Sequence, residues 1–505
     1  MLITADTIAT GAELLRPGWL EVADGRVVAL GDGAPPRSAD QPADRDLGAV
    51  TIVPGFVDMH VHGGGGGAFP EASIATTKAA VELHRRHGTT TMVASLVTAT
   101  GPELLRQVGV LAEQVQDGLV AGVHLEGPWL SQHRCGAHEL SALRDPDPAE
   151  LDRVLAAGQG TIRMVTLAPE RTGGLAAIGR LVDAGVIAAI GHTNATYEQA
   201  RAAIEAGATV GTHLFNAMRP VHHREPGPVI ALLEDPRVTV EMITDGVHLH
   251  PALYRDVTSN VGPDRIALIT DAMAAAGMAD GAYRLGALDV DVREGVARVA
   301  GTDTIAGSTA TMDQVFRFAV LNSARPRDEA LLVAVRQSSV NPARALGLPP
   351  AGLAPQSAAD LVVLDAALTV TGVLQAGSWV VQPGWAGPRR PVRRSPRGTG
   401  RRARRAGRTR RAGRPAGGGR WAGGSGPGRT GPIDPARRRP ARRPRRPGRD
   451  PRRWTRAGTA RRRRRQRLSA RGIPGRRPSP PSATVPAWAS RSAGSPSSPR
   501  PWPGA

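Results

Sequence analysis

The chain has 505 residues and a formal charge of +21, unevenly spread: from Pro383 onward there are 37 Arg against 2 Asp with no Lys or Glu, a local +35, which leaves −14 for the rest. A single cysteine excludes a disulfide framework and Cys-based zinc fingers, and no apolar run approaches the ~18–20 residues of a membrane span. The opening Met1-Leu2-Ile3-Thr4-Ala5-Asp6 has no basic stretch followed by an apolar one, so no signal peptide is read and a cytoplasmic address is expected.

In chain order, residues 1–50 read as short strands and turns, with Gly18-Trp19-Leu20-Glu21-Val22 running through Asp24-Gly25 into Arg26-Val27-Val28-Ala29-Leu30. From residue 51 the pattern changes to β/α alternation. Candidate strands are Thr51–Asp58, Thr89–Ser95, Ala121–Leu125, Arg163–Leu167, Val186–Ile190, Thr209–His213, Val238–Thr244 and Ile266–Thr270, with amphipathic helices such as Thr76–His87 and Tyr197–Ala206 between them. Eight such units predict an α/β fold, a (β/α)8 TIM-like barrel over residues 51–350. Asp360–Leu364 and Val370–Val381 resume the opening style, so 351–382 is expected to join 1–50 in a small β-sandwich domain beside the barrel. The remainder, 383–505, is Arg, Pro, Gly, Ala and Ser with scattered Trp, too poor in apolar side chains to offset its ordering entropy, and is expected to be a disordered basic tail. Runs such as Arg461–Arg465 can bind phosphate backbones. The competing reading is favoured: these residue types are what GC-rich DNA yields out of frame, and one lysine (Lys78) against many arginines marks the body as GC-rich coding. Nucleic-acid binding by the tail is then incidental.

The predicted strand ends carry the chemistry. The first closes on Asp58-Met59-His60-Val61-His62 before the glycines Gly63–Gly67. Residues two apart on a strand point the same way, so His60 and His62 can both aim into the barrel mouth. That spacing alone also suits two satisfied polar side chains near a turn. The third strand ends His124-Leu125-Glu126-Gly127-Pro128, the fifth Gly191-His192-Thr193-Asn194, the sixth Thr212-His213-Leu214-Phe215-Asn216, and the eighth Thr270-Asp271-Ala272. All fall on the face where barrel enzymes keep their active sites. His60, His62, Glu126, His192, His213 and Asp271 therefore form a candidate set for one or two divalent ions per subunit, zinc above all, with iron, manganese, cobalt or cadmium as alternatives. Asp271 can instead be a helix N-cap before Ala272.

These stretches, with Pro54–Gly63, His124–Leu130, Gly191–Thr196, Thr212–Met218, Asp245–His248, Thr270–Met273 and Ala306–Met312 in that order, resemble the amidohydrolase superfamily and, within it, the N-acetylglucosamine-6-phosphate deacetylases. The resemblance reaches Val381 and covers none of the tail. It implies hydrolysis of an N-acetyl hexosamine phosphate in amino-sugar breakdown and cell-wall recycling by metal-activated hydroxide, with Asp271 as general base and then acid. It implies Glu126, His192 and His213 as metal ligands, His60 and His62 as the pair that makes a second position, Glu126 as the bridge in place of a carboxylated lysine, and His138 beside the substrate carbonyl. For the phosphate it implies His248 and an Arg224 reaching across the interface of a homodimer or dimer-based oligomer. Asn216, Ala217, Ala137 and the segment Ile305, Ala306, Gly307 correspond to sugar-contacting positions. Arg224 can also be a solvated loop charge. Cys135 is read as a bystander, with a thiol poised over the site as the alternative. The rival function is an amidohydrolase acting on an unphosphorylated N-acyl or cyclic amide.

Overall fold

The computed structural model describes residues 1–36 and 43–384, so the expectations for 385–505 lie outside the described residues. Eight parallel strands form one sheet in sequence order: β1 (Phe56–Val61), β2 (Thr89–Leu96), β3 (Val123–Glu126), β4 (Ile162–Leu167), β5 (Ile187–Ile190), β6 (Val210–Gly211), β7 (Thr239–Met242) and β8 (Ile266–Leu268). Parallel strands covered by helices are buried along nearly their whole length, and β1 is buried at every position and β4 at all but Arg163, even where the residue is polar. The seam between β8 and β1 closes just beyond β8, where the Asp271 N–H donates to His60 O (2.9 Å) and the His62 N–H to Ala272 O (2.8 Å). The (β/α)8 expectation therefore holds, and its seam falls among the candidate ligands.

Some helices between the strands start where the sequence supplies a side-chain cap. Ser73 Oγ accepts the Thr76 N–H at 3.2 Å to open Ile74–Arg86, whose buried Thr77, Ala80, Val81 and His84 repeat at helical spacing. Thr196 and Gln199 close a reciprocal capping box (3.2 and 2.9 Å) ahead of Tyr197–Glu205. An apolar cluster including Val57, Met59, Val93, Met164, Val210 and Ile269 binds the strands to Ala343 and Leu346 in and beside the helix Asn341–Ala345. Burying each of the larger members contributes about 1.5–3 kcal/mol.

Three strand expectations are revised. Thr51–Asp58 is two strands: Thr51–Pro54 pairs with Leu361–Leu364 and Thr7–Ala9, and the barrel begins only at Phe56. Gly55 makes the crossing, because a Cβ there would lie 2.1 Å from Thr90 Oγ1. Strands β6 and β8 stop short of their expected ends because His213 (φ 27°) and Asp271 (φ 49°) turn into the left-handed region, which ends the ladder, whereas β5 ends at Ile190 as expected, shortly before His192 (φ 45°).

Residues 2–54 and 361–381, on either side of the barrel in sequence, build a β-sandwich. One sheet runs Arg26–Asp32, Gly18–Ala23, Leu2–Ala5, Arg45–Asp46; the other runs Ser378–Val381, Val370–Gln375, Leu361–Leu364, Thr51–Pro54, Thr7–Ala9, Leu14–Leu15. Ile3, Ile8, Leu20, Val27, Ile52, Leu361 and Leu374 form its core. An antiparallel sheet that sequence reading missed, Gly281–Leu285, Leu288–Arg293 and Val296–Val299, follows β8. Its Leu285, Val290, Val292 and Ala297 pack with Val97, Ala137, Met273 and Ala306, which ties it to the segments that follow β2, β3 and β8 at the barrel mouth. Among the described residues no helix is long and apolar enough to cross a membrane.

Candidate active site

Two groups of three potential ligands meet at the strand ends, each with its donor atoms within 4.8 Å of one another: His60, His62 and Asp271, and Glu126, His192 and His213. All six are buried. In the first group His60 Nε2 and His62 Nε2 are 3.1 Å apart, and Asp271 Oδ1 lies 3.6 and 3.2 Å from them. In the second, His192 Nε2 and His213 Nε2 are 3.1 Å apart and lie 3.1 and 2.9 Å from Glu126 Oε1. The other carboxylate oxygen, Glu126 Oε2, faces His62 Nε2 and His138 Nε2, both at 3.2 Å. Glu126 thus stands between the groups with one oxygen turned to each.

The outer hydrogen bonds fix which nitrogen is free. The His62 Nδ1–H donates to Ser95 O (3.1 Å), the His192 Nδ1–H to Arg134 O (2.9 Å), and the His60 Nδ1–H to Glu241 Oε2 (3.0 Å). A carbonyl or an ionised carboxylate can only accept, so in each neutral ring the proton sits on Nδ1 and Nε2 offers its lone pair inward. His138 is the reverse. The Thr98 N–H donates to its Nδ1 at 3.2 Å, so the neutral ring carries its proton on Nε2 and presents an N–H donor to the site. Burial pushes His138 down to about 4, against the pull of Glu126, so this neutral form prevails at pH 7.

Electrostatics call for a cation here. Burial would raise the carboxyl groups of Glu126 and Asp271, yet His60 and its neighbours hold both below the usual range. Burial would lower His60 and His62, yet the same carboxylates raise them, His62 to about 9. Among the described residues these groups pair with one another, with His138, His192, His213 and Glu241, and with the Ser95 carbonyl, and with no Arg or Lys side chain. Positive charge at this point must come from imidazolium or from a bound cation. The facing Nε2 pairs suit the second, since two lone pairs 3.1 Å apart repel unless something positive lies between them. Backbone strain marks the same place: left-handed φ at His192, His213 and Asp271 costs of order 1–3 kcal/mol each.

The remaining candidates are dispersed. Ala137 and Ala306 share the apolar cluster at the mouth, and Ile305 bridges Arg298. Gly307 (φ 60°) runs so close to Asp271 that a Cβ would lie 2.8 Å from Asp271 O. Asn216 Nδ2 donates to His213 O (3.2 Å), and Ala217 also has a left-handed φ, 49°. His248 is largely buried and its Nδ1–H donates to Asp245 Oδ2 (2.8 Å); burial lowers it, but Asp245 prevails and it is raised. Arg224 stands exposed in the 221–225 loop, its Nη1 2.7 Å from His223 Nε2, and is not joined to the cluster within this subunit. Cys135 is a half-buried free thiol next to Arg134, and Lys78 is exposed on the Ile74–Arg86 helix. Asp271 caps no helix, since Ala272 pairs with Ser308 and 274–277 forms a turn. Gly63–Gly64 and Gly67–Ala68 pair as a tight hairpin against that same helix and residues 272–276.

Sequence reasoning missed the supporting shell. Glu241 on β7, Ser95 and Thr98 at the end of β2, and Asp58, which accepts from Thr270 and is pushed up to about 7 by burial, were not singled out. The one local signal for Glu241 is a lone carboxylate inside the apolar run Val238-Thr239-Val240-Glu241-Met242-Ile243.

The Amidohydrolase family model matches residues 51–383. The chain is 37% identical over 371 residues to the N-acetylgalactosamine-6-phosphate deacetylase of Escherichia coli O157:H7, covering 71% of this chain and 94% of that one. It is 35% identical over 379 residues to the N-acetylglucosamine-6-phosphate deacetylase of Lysinibacillus sphaericus, covering 74% and 95%. Among solved structures it is similar to an aspartate-to-alanine variant of the Mycobacterium smegmatis N-acetyl-D-glucosamine-6-phosphate deacetylase in complex with N-acetyl-D-glucosamine-6-phosphate, at 68% identity and a TM-score of 0.74 over 76% of this chain and 99% of that one. Because the family match runs through all eight barrel strands and ends with the sandwich, the chain belongs to the amidohydrolase family of metal-dependent hydrolases.

Proposed function

We propose that this protein hydrolyses N-acetyl-D-glucosamine 6-phosphate to D-glucosamine 6-phosphate and acetate. The observation that carries the reading is the convergence of six potential ligands, from five separate strand ends, beside a neutral histidine that presents an N–H.

Glu126, His192 and His213 would hold one divalent cation, and His60, His62 and Asp271 with the shared Glu126 would hold a second; imidazole and carboxylate donors suit zinc best, with iron, manganese, cobalt or cadmium compatible. A cation so held supplies Lewis acidity, which makes water a competent nucleophile near neutral pH. The chain's own groups do the rest. Asp271, ionised at neutral pH, accepts a proton from the attacking water. As oxygen bonds to the acetyl carbon, charge builds on the carbonyl oxygen, and the His138 Nε2–H is the donor available to it. Asp271 then returns its proton to the nitrogen as the C–N bond breaks, leaving acetate and the free amine.

His248, whose cationic form Asp245 favours, supplies charge for the phosphate. Arg224, exposed and pointing away from its own cluster, supplies the rest across the interface of a homodimer. Asn216, Ala217, Ala137 and Ile305–Gly307 line the sugar. A cytoplasmic address accords with a phosphosugar substrate. The 4-epimer, N-acetylgalactosamine 6-phosphate, is a second candidate substrate because a relative named for it matches at 37% identity.

Acetate release from both phosphosugars and from plain N-acetylglucosamine, with and without chelator, tests the reading. Turnover of either phosphosugar, lost with chelator, supports it. Equal kcat/KM on the unphosphorylated sugar would refute the phosphate assignment, as would Arg224→Ala and His248→Ala variants with unchanged KM.

A further inference from the structure

Glu241 lies on β7 with no exposed surface, and its Oε2 alone accepts two hydrogen bonds: from the His60 Nδ1–H at 3.0 Å and from the His213 N–H at 3.2 Å. Its other oxygen, Oε1, has no hydrogen-bond partner among the described residues. The two donors belong to different ligand groups, His60 to one and His213 to the other. A buried carboxylate kept half unpaired is costly, and among the described residues no Arg or Lys pairs with it to offset that cost. Pure packing is better served by an apolar side chain here, so the carboxylate calls for a role that its two donors identify.

We propose that Glu241 is a positioning residue that couples the two cation positions of the site. Its acceptor-only oxygen holds the His60 proton on Nδ1 and so keeps the Nε2 lone pair turned toward His62, Glu126 and Asp271. The same oxygen clamps the backbone of His213 where φ is 27°, which keeps that imidazole against Glu126 and His192. The main-chain oxygen of Glu241 extends the clamp, accepting the Leu214 N–H at 2.8 Å. Because a single atom serves both groups, its loss weakens both at once, and more on the His60 side, where the ligand ring itself is held. The proposal rests on the two-group cation site of the proposed function.

The test is cation binding rather than turnover. Purified wild type, Glu241→Gln and Glu241→Ala proteins are loaded with zinc, and metal per protomer and affinity are measured by competition with a chromogenic chelator. Removal of an outer-shell partner weakens metal binding by roughly 10–100-fold. The alanine variant is expected in that range. The glutamine variant, which keeps an acceptor but loses the charge, is expected to fall between it and wild type. Folded variants that bind both ions as wild type does overturn the proposal and leave the site reading intact; a wild type that binds no cation overturns both. If the variants fail to fold, imidazole 15N spectra of zinc-loaded wild type, with His60 assigned by a His60→Asn control, decide the matter. A proton on His60 Nδ1 in a strong hydrogen bond supports the proposal, and a proton on Nε2 refutes it.

Discussion

His138 offers the most discriminating test of the chemistry, because the structure fixes both of its nitrogens. The Thr98 N–H occupies Nδ1 at 3.2 Å, and Nε2 lies 3.2 Å from Glu126 Oε2, so the ring is a donor toward the site and not a ligand. Removing one donor that meets a developing oxyanion lowers kcat by roughly 10²–10³, or about 2.7–4 kcal/mol. His138→Ala should lose that much with little change in KM, because the interaction strengthens only in the transition state. The two amide replacements separate the nitrogens. A glutamine amide reaches the position of Nε2 and can restore the donor, whereas an asparagine amide reaches only the position of Nδ1 and can restore only the pairing with Thr98. His138→Gln should therefore recover roughly tenfold or more over alanine, and His138→Asn should behave like alanine. The assay is steady-state acetate release on protein whose metal content has been shown equal to wild type. An asparagine variant more active than the glutamine variant would refute the donor assignment, and a large fall in metal content on His138→Ala would mean that the ring is a ligand after all.

Stripping the protein with chelator should abolish turnover and lower Tm, since a ligand present at 100 times its Kd adds about 2.7 kcal/mol to stability; calorimetry with and without added zinc reads the shift. Gly307→Ala should cost about 1–2 kcal/mol for its left-handed φ of 60° and, by pressing a Cβ against Asp271 O, displace that carboxylate; kcat should fall roughly a hundredfold while metal content holds. His84 is buried, donates from Nε2 to Gly63 O at 2.9 Å, and is lowered by burial from 6.5 to about 4. Its folded value lies below its unfolded one, so the unfolded chain takes up the proton first, and the stability present above pH 6.5 is lost as pH falls toward 4. The loss amounts to about 3 kcal/mol. Urea unfolding at pH 7 and pH 4.5 should show a smaller drop for His84→Gln than for wild type, and parallel drops would count against a buried neutral ring.

What the sequence discloses and what it conceals divide along a physical line. Local periodicity carries the eight strands and their helices, because burial on a parallel sheet and on one helix face is written residue by residue. The six candidate ligands were legible because each sits at or just beyond the end of such a strand, and a barrel brings those ends together whatever the intervening loops do. The partners that orient them were not. Glu241 meets His60 across 181 residues and Thr270 meets Asp58 across 212, and no local pattern specifies such a pair. The strand ends themselves were overestimated for a related reason. Thr209–His213 has the composition of a five-residue strand, but only Val210–Gly211 pairs, because His213 leaves the extended region to bring its ring against Glu126.

That departure links fold to function. Left-handed φ values at His192, His213 and Asp271 oppose local preference, as does Glu241 with an oxygen unpaired in the interior. Each conflict involves a candidate ligand or a group that holds one. The barrel can carry their combined cost because much of its apolar packing lies away from the mouth, around Val57, Met164 and Val210 and in the helical shell. Strain that ordinary folding would remove persists where a cation returns free energy by binding. The cation-free protein should therefore be least ordered at the ends of β5, β6 and β8, while the strands beneath stay intact. Amide hydrogen exchange on zinc-loaded and stripped protein should show protection lost first at His192, His213 and Asp271, and uniform loss through the barrel would mean that the strain and the site are unrelated.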